Sequence, residues 1–174
     1  RGGVLALAEL LALEHDDNRP ITYAVQGFGN VGSFFGTTTQ ELHQNWQLVA
    51  ASDSEAAVHN AAGLDATALQ QYKESGGRFK DFVADGTKTI TNDDLLALNV
   101  DVLVLAGLED AVTAKNVGTV TAKYVIEMAN GPVTGEAYDA LTQHGAIVLP
   151  DIIANAGGVI VSYLEWLQNR QGEH

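Results

Sequence analysis

Residues 21–32 read ITYAVQGFGNVG, an apolar run broken by three glycines before helical spacing resumes. Ile21 to Val25 read as a short buried strand, and Val31, Phe34, Phe35 and Leu42 recur afterwards at helical intervals. Between them, Gly27-Phe28-Gly29-Asn30-Val31-Gly32 fits G-x-G-x-x-G. In that order of elements each glycine has a job. Gly27 permits a tight turn, Gly29 lets the backbone approach a pyrophosphate, and Gly32 lets the helix pack close on its strand. The first N–H groups of the helix and its positive dipole end then face the anion. The pattern predicts the phosphate-binding corner of a dinucleotide fold.

A glycine motif alone also describes a strand-to-helix turn with no ligand, so its context matters. The next strand, Gln47 to Ala51, leads to Asp53, which lies 21 positions after Gly32. An acidic group that accepts from a ribose hydroxyl is expected about 20 residues on. A P-loop would need Lys after the last glycine, where Ser33 stands. Methyl-donor nucleoside sites usually carry an acid before the first glycine, and Gln26 is uncharged.

The chain has 174 residues, enough for one domain with a substantial core. Acids outnumber bases 22 to nine, for a net charge of −13, so nucleic acid is not an expected partner. No window approaches the roughly 18 apolar residues of a membrane span, and no secretory signal is visible. With no cysteine present, disulfide and thiol chemistry are excluded, and a cytoplasmic location is expected.

An amphipathic helix is predicted over 3–15 from Val4, Leu7, Leu10, Leu11 and Leu13. Further helices are predicted from Asp65 to Glu74, from the Thr91-Asn92-Asp93-Asp94 cap, from Thr113, from Thr134 to His144, and from about 157 to 171. Strands are predicted at Val100 to Leu105, Lys123 to Glu127 and Ala146 to Leu149. This alternation implies an α/β fold: a doubly wound, Rossmann-type three-layer sandwich with a mostly parallel sheet. Ligands in such sheets sit beyond the carboxyl ends of strands, which nominates the loops after Val25, Ala51, Leu105, Glu127 and Leu149.

Other oxidoreductase and hydrolase chemistries do not fit. None of Tyr23, Tyr72, Tyr124, Tyr138 and Tyr163 is followed by Lys four positions later, so a short-chain dehydrogenase mechanism is excluded. Five scattered histidines and no cysteine support no metal site, and no G-x-S-x-G elbow occurs. Two rim motifs remain. Ala129-Asn130-Gly131-Pro132 follows a strand directly, and Asn155-Ala156-Gly157-Gly158 opens the last helix. Each presents an amide toward the rim, although an Asn-Gly turn and an Asn cap account for them equally well in isolation.

These segments, with Ser52-Asp53-Ser54, Pro150-Asp151-Ile152 and Ser162-Tyr163-Leu164-Glu165-Trp166, resemble the glutamate/leucine/phenylalanine/valine dehydrogenase family across essentially the whole chain. The closing Ser-Tyr-Leu-Glu-Trp is similar to the glutamate branch. The resemblance implies hydride transfer between a nicotinamide ring and an α-carbon, coupled to reductive amination of 2-oxoglutarate to glutamate with ammonia. It implies that Gly27, Phe28, Gly29, Asn30 and Val31 cradle the pyrophosphate. Asp53 and Ser54 would face the adenosine ribose, and Ala106, Gly107, Asn130 and Asn155 would complete the cofactor set. Val159 and Ser162 would face the substrate. A homo-oligomer is also implied, a hexamer in the family. Gly32, Leu105, Met128 and Val133 depart from the residues usual there.

The family's catalytic lysine and aspartate belong to an N-terminal substrate domain. Lys73, Lys80, Lys88, Lys115 and Lys123 sit in polar contexts, not in a glycine-rich apolar pocket that would depress a lysine pKa. Residues 1–174 are therefore expected to form the cofactor-binding domain of a glutamate dehydrogenase. They would hold no catalytic residue and be inactive alone, with the substrate domain absent from this chain. A standalone dinucleotide-binding module with a sensing or interaction role is the alternative. Asp53 favours NAD over NADP, since it would repel a 2′-phosphate and no arginine lies in its loop.

Overall fold

The computed structural model of the protein describes residues 1–154. Helices α1 (Gly2–Leu13), α2 (Asn30–Leu42), α3 (Ala66–Glu74), α4 (Asn92–Leu96), α5 (Gly135–Gln143) and α6 (Asp151–Ala154) surround seven strands. The strands are β1 (Ile21–Gln26), β2 (Trp46–Ser52), β3 (Ala57–His59), β4 (Lys88–Ile90), β5 (Val102–Leu105), β6 (Tyr124–Glu127) and β7 (Ile147–Leu149). They form one sheet in the order β4-β3-β2-β1-β5-β6-β7. β2, β1, β5, β6 and β7 pair in parallel, while β3 and β4 add an antiparallel edge. The doubly wound, mostly parallel three-layer architecture is present as expected.

Alternation along the strands divides the core between the two faces. Ile21, Tyr23, Val25, Val102, Val104, Tyr124 and Ile126 pack under α1, α2 and α3. Ala24, Leu103, Leu105 and Val125 pack under α4 and α5. An extra residue in β2 sits where Tyr23 pairs with Leu48 but Ala24 pairs with Ala50, which turns Val49 and Ala50 onto the same face. At the amino ends of the strands, Asp101 accepts from the Thr22 N–H at 2.7 Å and from Arg19 at 2.7 Å, tying β1 to β5. Asp16 there accepts from the Tyr124 hydroxyl at 2.6 Å and from Lys123 at 2.7 Å.

Three of the expected helix starts carry side-chain caps, the one at Thr91 as expected. Asp65 accepts from the Thr67 and Ala68 N–H groups, Thr91 makes a capping box with Asp94, and Thr134 accepts from the Ala137 N–H. The helix expected at Thr113 is instead a turn followed by a 3-10 segment, Val117–Thr119. The Asn116 amide accepts from the Thr113 N–H at 2.8 Å and donates to the Ala111 carbonyl at 2.9 Å, and this local ring competes with helix. The small strands β3 and β4 were not expected, since β4 is largely exposed and neither carries an apolar run. The last predicted helix, about 157 to 171, lies outside the described residues. Among those described, no helix is long and apolar enough to cross a membrane.

The helical period in α2 is as predicted, but a different face is buried. Gly32, Ser33, Phe35, Gly36 and Thr39 meet the core, while Val31, Phe34 and Leu42 are exposed. Small residues let α2 lie against the sheet. A Cβ on Gly32 would stand 2.2 Å from the Gly27 carbonyl oxygen, and one on Gly36 would stand 3.1 Å from the Phe28 ring.

Candidate functional site

The chain winds outward from β1 in one direction through β2, then returns to place β5 on the other side of β1. A crevice opens where the direction reverses, at the carboxyl ends of β1 and β5. The glycine corner stands on its rim.

Gly27 has φ +86°. Its N–H donates to the Ser52 Oγ at 3.1 Å, and the Phe28 N–H donates to the Ser52 carbonyl. The end of β2 thus holds the corner in place. The Phe28 ring is buried in the core, 5.9 Å from the Phe79 ring, so its side chain anchors the turn from below. Beyond it Gly29 is the N-cap of α2, in extended backbone and without any side-chain cap. Asn30, Val31 and Gly32 follow with the helix's first N–H groups, which have no acceptor within the helix. Among the described residues, a Cβ at Gly29 would meet nothing within 4 Å, so these leave open space in front of those groups. Uncapped N–H groups, the positive end of a 13-residue helix and open space together suit a pyrophosphate.

Gly107 lies against the back of Gly27, and its N–H donates to the Gln26 side chain at 3.2 Å. Ala106 donates through its N–H to the Gln26 carbonyl at 2.8 Å. Next to them a cleft of about 430 Å³ is lined by Gly107, Leu108, Glu109, Ala129 and Asn130. The loops bounding it are joined by a parallel bridge between Val112 and Val133. Met128 points away into a smaller cleft of about 260 Å³ shared with Gly3, Val4, Asn30, Val31 and Phe34. Of the other departures from the family pattern, Leu105 is fully buried and Val133 lies in that bridge.

At the other end of the corner, Asp53 is engaged within the protein. One carboxylate oxygen accepts from Lys73 at 2.7 Å and from the Phe79 N–H at 2.9 Å. The other accepts from the N–H groups of Glu55 and Ala56. Burial alone would raise the Asp53 pKa, but Lys73 and these three N–H groups outweigh it and hold the carboxyl at about 2. Ser54 is exposed in the turn that follows. Glu55 pairs with Arg78 and, at 2.6 Å, with Lys80. Three cations from one distant segment therefore reach the loop that by sequence contains none.

This yields a pH test. The ionised Asp53 stabilises the fold above its ordinary pKa of 3.8, and the contribution is lost as pH falls toward about 2. Its side chain is only 9% exposed, so the shift corresponds to about 2 kcal/mol. Asp53→Asn should lose about that much stability at pH 7, and its difference from wild type should shrink between about pH 4 and pH 2. Urea denaturation across that range checks it. A constant difference would show that the carboxylate charge is not what holds the loop.

The structure brings Gly27, Phe28, Gly29, Asn30, Val31, Ala106, Gly107 and Asn130 to one rim, with Asp53 and Ser54 at its β2 end. Asn155, Val159 and Ser162 lie outside the described residues. Sequence reading missed Ser52, Gln26 and Lys73 as supports of this rim. Only Ser52 and Gln26, the last residues of their strands, left a positional signal.

Residues 1–174 match the family model described as glutamate/leucine/phenylalanine/valine dehydrogenase. The chain belongs to that family. It is 47% identical over 156 residues to a glutamate dehydrogenase of Thermotoga maritima, covering 89% of this chain and 36% of that protein. It is 43% identical over 171 residues to the NADP-specific glutamate dehydrogenase A1 of Halobacterium salinarum, covering 98% and 40%. In structure it matches the hetero-hexameric glutamate dehydrogenase of Thermus thermophilus with a TM-score of 0.86 at 30% identity, covering 99% of this chain and 40% of that one. The chain thus spans about two fifths of the length of the curated relatives it matches. Family membership makes it part of an oxidoreductase group, and its α/β sheet is the Rossmann-type domain of these structural neighbours.

Proposed function

We propose that residues 1–174 are the NAD(P)-binding domain of a glutamate dehydrogenase, acting beside a substrate domain that supplies the catalytic lysine and aspartate. The observation that carries this reading is the uncapped start of α2 at Gly29, with open space before it, at the point where strand order reverses. The corner would hold the pyrophosphate, Ser54 and its neighbours the adenosine ribose, and Gly107 and Asn130 the nicotinamide end. Asn155 completes this cofactor set in the proposal, and Val159 and Ser162 serve the substrate. Bound there, the cofactor supplies the hydride donor or acceptor for interconverting glutamate and 2-oxoglutarate.

The ion pairing of Asp53 changes the argument about cofactor choice. Its charge is paired with Lys73, and Arg78 and Lys80 stand nearby on Glu55. The reason for excluding a 2′-phosphate is therefore weaker than the sequence implied, and one relative is NADP-specific by name. We infer that both NAD and NADP bind. The parent protein is proposed to be a homo-oligomer.

Calorimetric titration of residues 1–174 with NAD and with NADP tests this, beside an assay of glutamate-dependent absorbance at 340 nm. Binding without turnover is the expected result. Hydride transfer needs positioned acid–base groups and a cleft closed against water, which a single domain does not provide. Absence of binding would remove the cofactor reading. Turnover proportional to this protein would place catalytic groups within these residues.

A further inference from the structure

Glu127 ends β6 directly below the Asn130 loop and is buried, with 6% of its surface exposed. A carboxylate so placed needs donors. It finds one across the rim, in the Asp151 N–H at 3.1 Å, at the start of α6. Asp151 answers in the opposite direction: its carboxylate accepts from the Gly131 N–H at 3.1 Å. The two acids thus grip each other's loops, Glu127 holding the turn after β7 and Asp151 the turn after β6. The Gly131 carbonyl in turn accepts from the Asp110 N–H at 3.1 Å, which carries the constraint into the loop after β5.

We propose that Glu127 and Asp151 are positioning residues for the cofactor, a reciprocal clamp that sets Asn130 and the loop after β5 around the nicotinamide end of the cleft. Neither has to touch the cofactor. Gly131, immediately after Asn130, has φ +54° and is exposed, and among the described residues its N–H is held by the Asp151 carboxylate. Burial, together with the nearby Asp151 charge, raises the Glu127 pKa, opposed by the N–H groups of Asp151 and Val133. That balance is expected of a carboxylate kept inside for its hydrogen bonds.

The proposal rests on the cofactor reading above and makes a distinction which that reading does not. In the full protein, Asp151→Ala should weaken binding of NAD, or NADP if that binds tighter, by about tenfold, the effect of one charge-assisted hydrogen bond. ADP-ribose carries the pyrophosphate and both riboses but no nicotinamide, so its affinity should stay within about twofold of wild type if the clamp acts only at the nicotinamide end. Asp151→Asn retains an acceptor oxygen and should restore most of the loss. Glu127→Ala, which removes the acceptor for the Asp151 N–H, should shift the same ratio in the same direction, and Asp151→Ala, at a half-buried position, keeps the test available if that variant does not fold. Equal weakening of both ligands, or of neither, overturns the clamp. Wild-type protein that binds neither ligand overturns the cofactor reading itself, and the clamp with it.

Discussion

Gly29→Val is expected to weaken nicotinamide-dinucleotide binding by at least about 100-fold and to leave thermal unfolding cooperative at an unchanged midpoint. The two halves of this expectation come from one geometric fact. Gly29 has φ −84° and ψ −155°, extended backbone that a branched residue adopts without strain. A Cβ there meets no atom of the described residues within 4 Å, so their packing has nothing to lose. The same open space is where a pyrophosphate would approach the first N–H groups of α2. Two methyl groups in it would hold the anion off those donors, and losing two charge-assisted hydrogen bonds at roughly 1.5–3 kcal/mol each accounts for the effect. Calorimetry and thermal unfolding on the same preparation give both readouts. Unchanged affinity would mean that this loop is not the phosphate cradle, and a collapsed melting curve would make Gly29 a structural glycine.

Gly27→Ala should do the reverse and damage the fold first. The φ of +86° costs a residue with a Cβ about 1–2 kcal/mol by itself. The added atom would also lie 2.3 Å from the Gly107 Cα and 2.4 Å from its nitrogen. Those are backbone atoms in the loop just beyond β5, so no rotamer change relieves the contact, and that loop must move away from the glycine corner. A loss of roughly 3–5 kcal/mol is expected, in the range that single substitutions reach only through such mechanisms. Urea denaturation measures it, and a loss below about 1 kcal/mol would show that the rim yields more easily than its packing suggests. Within one six-residue motif, Gly27 and Gly32 are held by contacts within the protein, and Gly29 is the glycine left to the proposed ligand.

Much of this was legible because the signals are local. Asp65, Thr91 and Thr134 cap their helices through side chains a few residues away, so the residue type at the right offset is sufficient evidence. The five parallel strands are largely apolar runs of three to seven residues, mostly buried on both faces. Thr113 misled for the same local reason: a good capping residue was present, but Asn116 closed a competing ring on it. In α2 the spacing revealed the helix and not its orientation, because the face that packs is made of glycine, serine and threonine.

What residue order alone determined is the glycine corner, the alternation of strand and helix, and hence the rim on which a dinucleotide would sit. These follow from backbone stereochemistry and apolar periodicity, which act over a few residues. Only the tertiary structure decided what each charged group at that rim does. Asp53 has the spacing of a ribose acceptor, yet Lys73 and the Phe79 N–H converge on it from 20 and 26 residues away. Glu127 reads as the end of a strand until the turn after β7 places the Asp151 N–H against it. Electrostatic partnership depends on distance in space and on exclusion of water, and both are set by how the sheet is wound.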